Sequence, residues 1–299
     1  VGIIKKGGCE MIKISVLMED RSYSSEYISE HGLSLFVETE HHKLLFDTGQ
    51  SGKFADNAEK MGINLKDVDA AFISHGHYDH GGGIKRFIEI NDHAKIYINR
   101  NAFGRYYHGS DRYIGLDKTP QTYGDDDTKG GRCAYSANQF GLGEKPEIRR
   151  FVLTDDTCTV DDELSLCTCN GMPEKYLVDS AGLTEKKDGI FVPDRFEHEQ
   201  YLIMKENGRK IVISGCSHKG ILNIMDWLKP DVLVGGFHFM GEDVSSGANE
   251  RLDKATEILS SYDTDYYTCH CTGWNQYQYL KERMGDRLHY IAAGQVTDI

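Results

Sequence analysis

Ser74-His75-Gly76-His77-Tyr78-Asp79-His80 places three imidazoles and a carboxylate within six residues, directly after an apolar run. Such a segment packs poorly, because every buried polar ring needs a partner. Imidazole nitrogen and carboxylate oxygen are ligand atoms that zinc, iron and manganese accept. With a kink at Gly76, His75 and His77 reach one ion, while Asp79 and His80 on the following turn face a second. Gly81-Gly82-Gly83 then lets the backbone pass close beneath the site before a helix begins. The expected cofactors are two divalent metal ions, zinc foremost and iron or manganese as the other choices. Ions about 3.5–4 Å apart would polarise a substrate oxygen and activate a water between them.

The elements that must position this cluster are legible as short runs. Ile12–Met18, Leu33–Glu38, Lys43–Phe46, Val68–Ser74 and Lys95–Asn99 read as strands. Gly52–Gly62 reads as a helix closed by a C′ glycine, and Ile84–Ile90 as a second helix. From Gly104 to Pro146 the composition turns to glycine, aspartate and tyrosine, too long a stretch for an ordinary connector, so it reads as a lid-like excursion. Strands resume near Glu147–Leu153 and in the 160s, and Tyr201–Lys205 and Lys210–Ser214 form a hairpin across Asn207-Gly208. Helices over Ile221–Leu228, Asn249–Ser260 and Asn275–Met284 alternate with strands at Asp231–Val234, before Cys269 and at Leu288–Ala292. Strand-rich halves, each finished by helices, suit two face-to-face sheets with helices outside, an α/β (α+β) αββα sandwich.

The chain has 299 residues, 47 of them acidic and 34 basic, for a formal net charge of -13. That balance argues against coating nucleic acid or lying on a membrane surface. No segment approaches the roughly 18 apolar residues of a membrane helix. Val1–Glu10 has no apolar signal-peptide core. It reads as an upstream extension or an expression remnant, leaving residues 11–299 as the domain and the cytoplasm as the expected compartment. The pairs Cys167/Cys169 and Cys269/Cys271 are spaced more tightly than structural zinc prefers and read as reduced, mostly buried thiols.

His75-x-His77-x-Asp79-His80 resembles the signature of the metallo-β-lactamase superfamily. Phe46-Asp47-Thr48-Gly49 is similar to its early D-T-G element, whose aspartate supports metal-binding histidines from behind. Ser214-Gly215-Cys216-Ser217-His218, Gly235-Gly236-Phe237-His238 and Cys269-His270-Cys271-Thr272-Gly273 resemble one branch. That branch is labelled pterin–(ribofuranosyl)aminobenzene phosphate synthase of methanopterin biosynthesis, or simply metal-dependent hydrolase. The resemblance implies a metallo-β-lactamase fold, with His75 and His77 on one metal, Asp79 and His80 on the other, and His270 completing the second. Many members bridge the metals with an aspartate at a strand end, where this chain has Cys216; that thiol either ligates softly or does not ligate. For the third ligand of the first metal, His218 is favoured because it lies in the branch motif. His198 is the rival, because it precedes the preceding strand as that ligand usually does.

His238, after an apolar strand and two glycines, suits a strand-end group that hydrogen-bonds a substrate or donates a proton. Arg105, Tyr106, Arg112 and Tyr113 could hold a phosphate and stack a flat ring. His31, His41, His42, His93, His108 and His289 lack supporting spacing and read as surface or packing residues. The expected function is metal-dependent hydrolysis of a small phosphorylated or carboxylated molecule, with Asp79 or an activated water as base and His238 as acid. A transferase joining a pterin alcohol to an aminobenzene ribofuranosyl phosphate is the alternative. A metal-bearing binding or regulatory protein without catalysis is a third reading. The sequence leaves the oligomeric state open.

Overall fold

The structure, a computed structural model, describes residues 11–116 and 149–299. The upstream segment 1–10 and most of the expected excursion over 104–146 lie outside the described residues.

Strand patterns set the layers. In Ala70–Ile73, Ala70 and Phe72 face one side while Ala71 and Ile73 face the other, and all four are buried. Ile211 and Ile213 likewise face away from Val212, and Val232 and Val234 away from Leu233. Strands apolar on both faces can sit only inside a layered core. One sheet runs in the order Val296–Asp298, Lys13–Met18, Ser34–Glu38, Lys43–Phe46, Ala70–Ile73, Lys95–Asn99 and Phe151–Thr154. The other runs Leu288–Tyr290, Asp265–Thr268, Val232–Val234, Arg209–Ile213, Tyr201–Glu206, Leu164–Cys167 and Thr157–Thr159. Their inner faces share one apolar core, in which Phe46 and Phe72 meet Ile213 and Val234.

Helices cover both outer faces. Phe54 from Lys53–Lys60 and Ile84 and Phe87 from Ile84–Ile90 pack on the first sheet. Helices Ile221–Leu228, Glu250–Ser260 and Trp274–Met284 pack on the second through residues such as Ile224, Leu252 and Leu280. The result is the αββα sandwich expected from the sequence. The Tyr201–Glu206/Arg209–Ile213 hairpin turns at Asn207 and Gly208 with φ of 52° and 76°, the two-residue turn that suits right-twisted strands. No helix of the described residues is long and apolar enough to cross a membrane.

Two features depart from the sequence reading. Val296–Asp298 pairs with Lys13–Met18, closing the first sheet with the chain's last described residues. Tyr106–His108 and Arg112–Tyr113, read as the start of an irregular excursion, are strands of a third, antiparallel sheet with Leu183–Lys187 and Ile190–Pro193. Strands this short hold together through a partner about 75 residues away, which no local pattern displays.

Gly83 lies against the loop that follows Asp47: a Cβ there would fall 2.3 Å from the Thr48 carbonyl oxygen and 2.7 Å from that of Ser51. Both are backbone atoms and cannot swing aside. Gly83→Ala is therefore expected to destabilise the protein by about 1–3 kcal/mol, as overpacking does. Thermal denaturation would show a lowered Tm; an unchanged Tm would mean the loop has slack that the geometry does not reveal.

Candidate metal centre

Parallel strands bring their C-terminal ends to one edge of a sheet, and in open α/β sheets that edge is where ligands bind. Here Asp47, Ser74, Ser214, Gly235 and Cys269 each directly follow the last residue of such a strand. The chemistry-bearing residues come off these ends. The backbone is in the left-handed region at Asp47 (φ 58°), Ser217 (59°), His238 (55°) and His270 (50°). Non-glycine residues held there cost energy and concentrate at functional sites.

Three imidazoles are fixed from behind in the same way. The Asp47 carboxylate accepts the Ser74 N–H (2.7 Å) and Ser74 Oγ–H (2.7 Å), and lies 2.7 Å from His80 Nδ1. With its hydroxyl proton committed to Asp47, Ser74 Oγ accepts from His75 Nδ1 at 2.8 Å. His270 Nδ1 donates to Asp20 Oδ1 at 2.6 Å. Each Nδ1–H is thus used, and each Nε2 is directed into the centre. Engaging the outer ring nitrogen is how a protein orients a metal-binding histidine and raises its basicity.

The inward atoms form overlapping groups, with His75, His80 and Cys216 joining one set to the next. His75, His77 and His218 each bring a ring nitrogen within 4.8 Å of the others, and the Nε2 atoms of His75 and His218 face each other at 3.3 Å. His77 Nε2, His218 Nδ1 and His270 Nε2 are buried without a hydrogen-bond partner. Beside this group, Asp79 Oδ2 lies 3.6 Å from His80 Nε2 and 3.4 Å from His270 Nε2, and Cys216 Sγ lies 3.1 Å from His80 Nε2. Buried nitrogens left unpaired, next to a carboxylate and a thiol, are the donor set that divalent metals accept.

Electrostatics agree with this reading. Burial, then the neighbouring His80, His77 and His218 rings, holds His75 well below the ordinary histidine value. Burial likewise lowers His77 to about 3 and His218 well below its usual value, so all three offer lone pairs. Burial would raise Asp79, but the His80, His270 and His31 imidazoles outweigh it and hold the carboxylate ionised. For His270 burial would lower the value, yet Asp20 and Asp79 raise it well above the ordinary one.

The structure also places the remaining candidates. His198 has both nitrogens committed: Nδ1 accepts the Gly76 N–H at 2.9 Å, and Nε2 lies 3.1 Å from Asp194 Oδ2. His77, Asp194 and His198 also lie close enough to group, although both His198 nitrogens are already engaged. His218 instead points inward. Phe196 stacks on its ring at 4.6 Å, and the buried Glu199 accepts its backbone N–H at 2.7 Å. His238 reaches the cavity wall, 4.4 Å from His218 between ring centroids. Burial lowers His238 to about 4, leaving it uncharged at neutral pH, able to share an N–H but without a second proton to give.

Of the four residues proposed for substrate, Arg112 lines the cavity. Tyr106 is buried beneath it, 4.0 Å from the His198 ring, with its hydroxyl donating to the Asn101 carbonyl, so it cannot stack a ligand in the cavity. Tyr113 packs edge-on against Tyr107, and the Arg105 carbonyl pairs with Lys186 N–H in the third sheet. The sequence reading missed His31, Asp20 and Arg251. His31 is exposed at the cavity rim, as a surface reading has it, and also bridges Asp20 and Asp79 at 3.0 and 3.3 Å. An acidic pair after the first strand, Glu19-Asp20, was the signal available for Asp20.

Two predictions follow from this geometry. Asp47→Asn keeps one oxygen for the Ser74 N–H but turns an amide NH₂ toward groups that are themselves donors. Metal affinity, measured by competition with a chelator, is expected to fall about 10–100-fold; wild-type affinity would reduce Asp47 to a turn-former. Separately, His270 carries a proton when no cation is bound, and a ligating imidazole must be neutral. Cation binding should therefore release protons and weaken as pH falls. Calorimetry in buffers of different ionisation enthalpy would detect the release, and identical enthalpies in all buffers would argue against it.

Comparison with known proteins places this geometry. The metallo-beta-lactamase superfamily model matches residues 30–164. A 7,8-dihydropterin-6-methyl-4-(beta-D-ribofuranosyl)-aminobenzene-5'-phosphate synthase of Methanocaldococcus jannaschii is 28% identical over 306 aligned positions, covering 97% of each chain. A second protein of that organism, named uncharacterized protein MJ0448, is 27% identical over 267 residues, covering 87% of this chain and 91% of its own. Among solved structures, Tm1679, described as a metal-dependent hydrolase of the beta-lactamase superfamily, superposes with a TM-score of 0.74. It is 25% identical, and the match covers 96% of this chain and 99% of that one. Residues 30–164 thus match the metallo-beta-lactamase superfamily model, and the chain has the metallo-β-lactamase fold.

Proposed function

We propose that the protein is a metal-dependent hydrolase of a small anionic substrate, working through two divalent cations. The observation that carries this reading is the convergence of buried, unpartnered imidazole nitrogens beside an ionised Asp79 at the floor of one cavity of about 340 Å³. His75, His77 and His218 would hold the first cation, and Asp79, His80 and His270 the second. Two such cations act as Lewis acids on a substrate oxygen and make water nucleophilic at neutral pH.

The protein's own groups do the rest. Asp79, ionised by its imidazole neighbours, serves as ligand and orienting acceptor. His238 presents a neutral ring to the cavity and can donate one hydrogen bond to a substrate oxygen. Arg112, exposed on the wall and bonded to the Tyr78 phenol, supplies positive charge for a phosphate or carboxylate. Arg251 stands on the same wall, but Glu242 at 2.7 Å and Asp179 at 3.3 Å already balance its charge.

A transferase joining a pterin alcohol to an aminobenzene ribofuranosyl phosphate is the second reading, favoured by the full-length similarity to the archaeal synthase. The experiment is to strip the protein, restore single metals, and offer a phosphoester and lactone panel beside the pterin and aminobenzene pair. Metal-restored hydrolysis supports the first reading, and a coupled product the second. Bound metal with neither activity would leave a binding or regulatory protein. Arg112→Ala is expected to raise KM for an anionic substrate by roughly 10-fold, the loss of one charge-assisted hydrogen bond. An equal effect on an uncharged ester would remove Arg112 from substrate binding.

A further inference from the structure

The second cation site is bordered by sulfur on two sides. Cys216 follows the strand Arg209–Ile213 and puts its Sγ 3.1 Å from His80 Nε2. Cys271 comes from a different strand end. In Cys269-His270-Cys271, Cys269 is buried in the apolar core between the sheets. The left-handed backbone at His270 then turns Cys271 the other way, into the cavity wall. Its Sγ contacts the Cys216 carbonyl oxygen at 3.4 Å, and the ligand atoms of Cys216, His270 and Cys271 lie within 4.8 Å of one another.

A neighbouring glycine keeps this thiol in place. A Cβ on Gly236 would fall 2.3 Å from Cys271 Sγ, so any larger residue there would evict the sulfur. His270 Nε2, in the same group, is buried without a hydrogen-bond partner.

We propose that Cys271 and Cys216 together form a two-thiolate face of the second cation site, making it a mixed nitrogen, oxygen and sulfur site. This rests on the dinuclear reading above. Each thiol would give up its proton to solvent on ligation, with no change of oxidation state. Soft sulfur donors favour zinc, cobalt or cadmium and disfavour manganese and magnesium. The second site should therefore discriminate between these ions more sharply than the all-imidazole first site.

The test uses full-length protein, kept under a phosphine reductant and loaded with cobalt(II). Wild type should bind two cobalt ions and show a sulfur-to-cobalt charge-transfer band in the near ultraviolet. Cys271→Ser should lose about half of that band, Cys216→Ser a similar share, and Cys269→Ser none. X-ray absorption at the zinc edge of unmutated protein loaded instead with zinc gives a measure independent of any variant's folding. Two sulfurs on one of two ions average to about one sulfur per zinc, at about 2.3 Å. Two bound cations with half that sulfur count, or an undiminished band in Cys271→Ser, would overturn the proposal while leaving the dinuclear reading intact. No retained cation would overturn both. A Cys216–Cys271 disulfide persisting in reduced protein would also exclude thiolate ligation.

Discussion

Asp47 locks together the chain segments that parallel pairing of Lys43–Phe46 with Ala70–Ile73 brings to one sheet edge. Its carboxylate takes the backbone and hydroxyl of Ser74 at one strand end and the ring of His80 on the next turn. Through Ser74 it also fixes His75, so one buried carboxylate sets the rotation of two adjacent imidazoles. The constraint propagates outward. Thr48, next in sequence, donates to the His80 carbonyl through both its N–H and its hydroxyl, which pins the turn carrying Asp79. Gly82 and Gly83 run so close to the Gln50, Thr48 and Ser51 carbonyls that no side chain fits. The D-T-G segment and the glycine run are two halves of one clamp.

The clamp holds a crowded set of donor atoms. Rings that would hydrogen-bond in water face one another at nitrogen–nitrogen contact, and several buried nitrogens have no partner. Unpaired buried polar atoms each cost on the order of 1–3 kcal/mol, and left-handed φ at Asp47, Ser217, His238 and His270 adds strain. The two sheets share one apolar core beneath this edge. A rigid scaffold under a strained edge is what preorganises ligand atoms that must all point at the same small volume.

The second sheet contributes in a different manner from the first. Glu199, just ahead of Tyr201–Glu206, and Lys219, in the turn after Arg209–Ile213, are both buried. The Glu199 carboxylate accepts the His218 and Lys219 N–H groups, and the Lys219 ammonium donates to the Thr168 carbonyl and Asn170 Oδ1. This pair braces the His218 turn much as Asp47 braces the His80 turn. His198, locked between the Gly76 N–H and Asp194, buttresses the kink that aims His75 and His77. A shared fold does not fix a reaction; the cavity above this floor, with Arg112, His31 and His238 on its walls, is where substrate choice would be made.

Much of this was legible in the chain itself. Alternating and doubly apolar runs determined the strands, because a strand shows both its faces within a few residues, and His75-x-His77-x-Asp79-His80 pointed to a metal-type donor cluster because its donor groups are local. What the sequence could not decide was which distant side chains share that volume. His198 and His218 have similar residue types and equally suggestive positions, and only the backbone turn at Ser217 and the hydrogen bonds of His198 separate them. Asp20 meets His270 across 250 residues of chain, a contact that the local Glu19-Asp20 pair could only hint at. Tyr106 reads as a ligand-stacking ring until its strand pairs with Leu183–Lys187 and turns it inward. Local spacing determines which residues can ligate, whereas the direction in which each strand end releases its side chain is a property of the packed sheets alone.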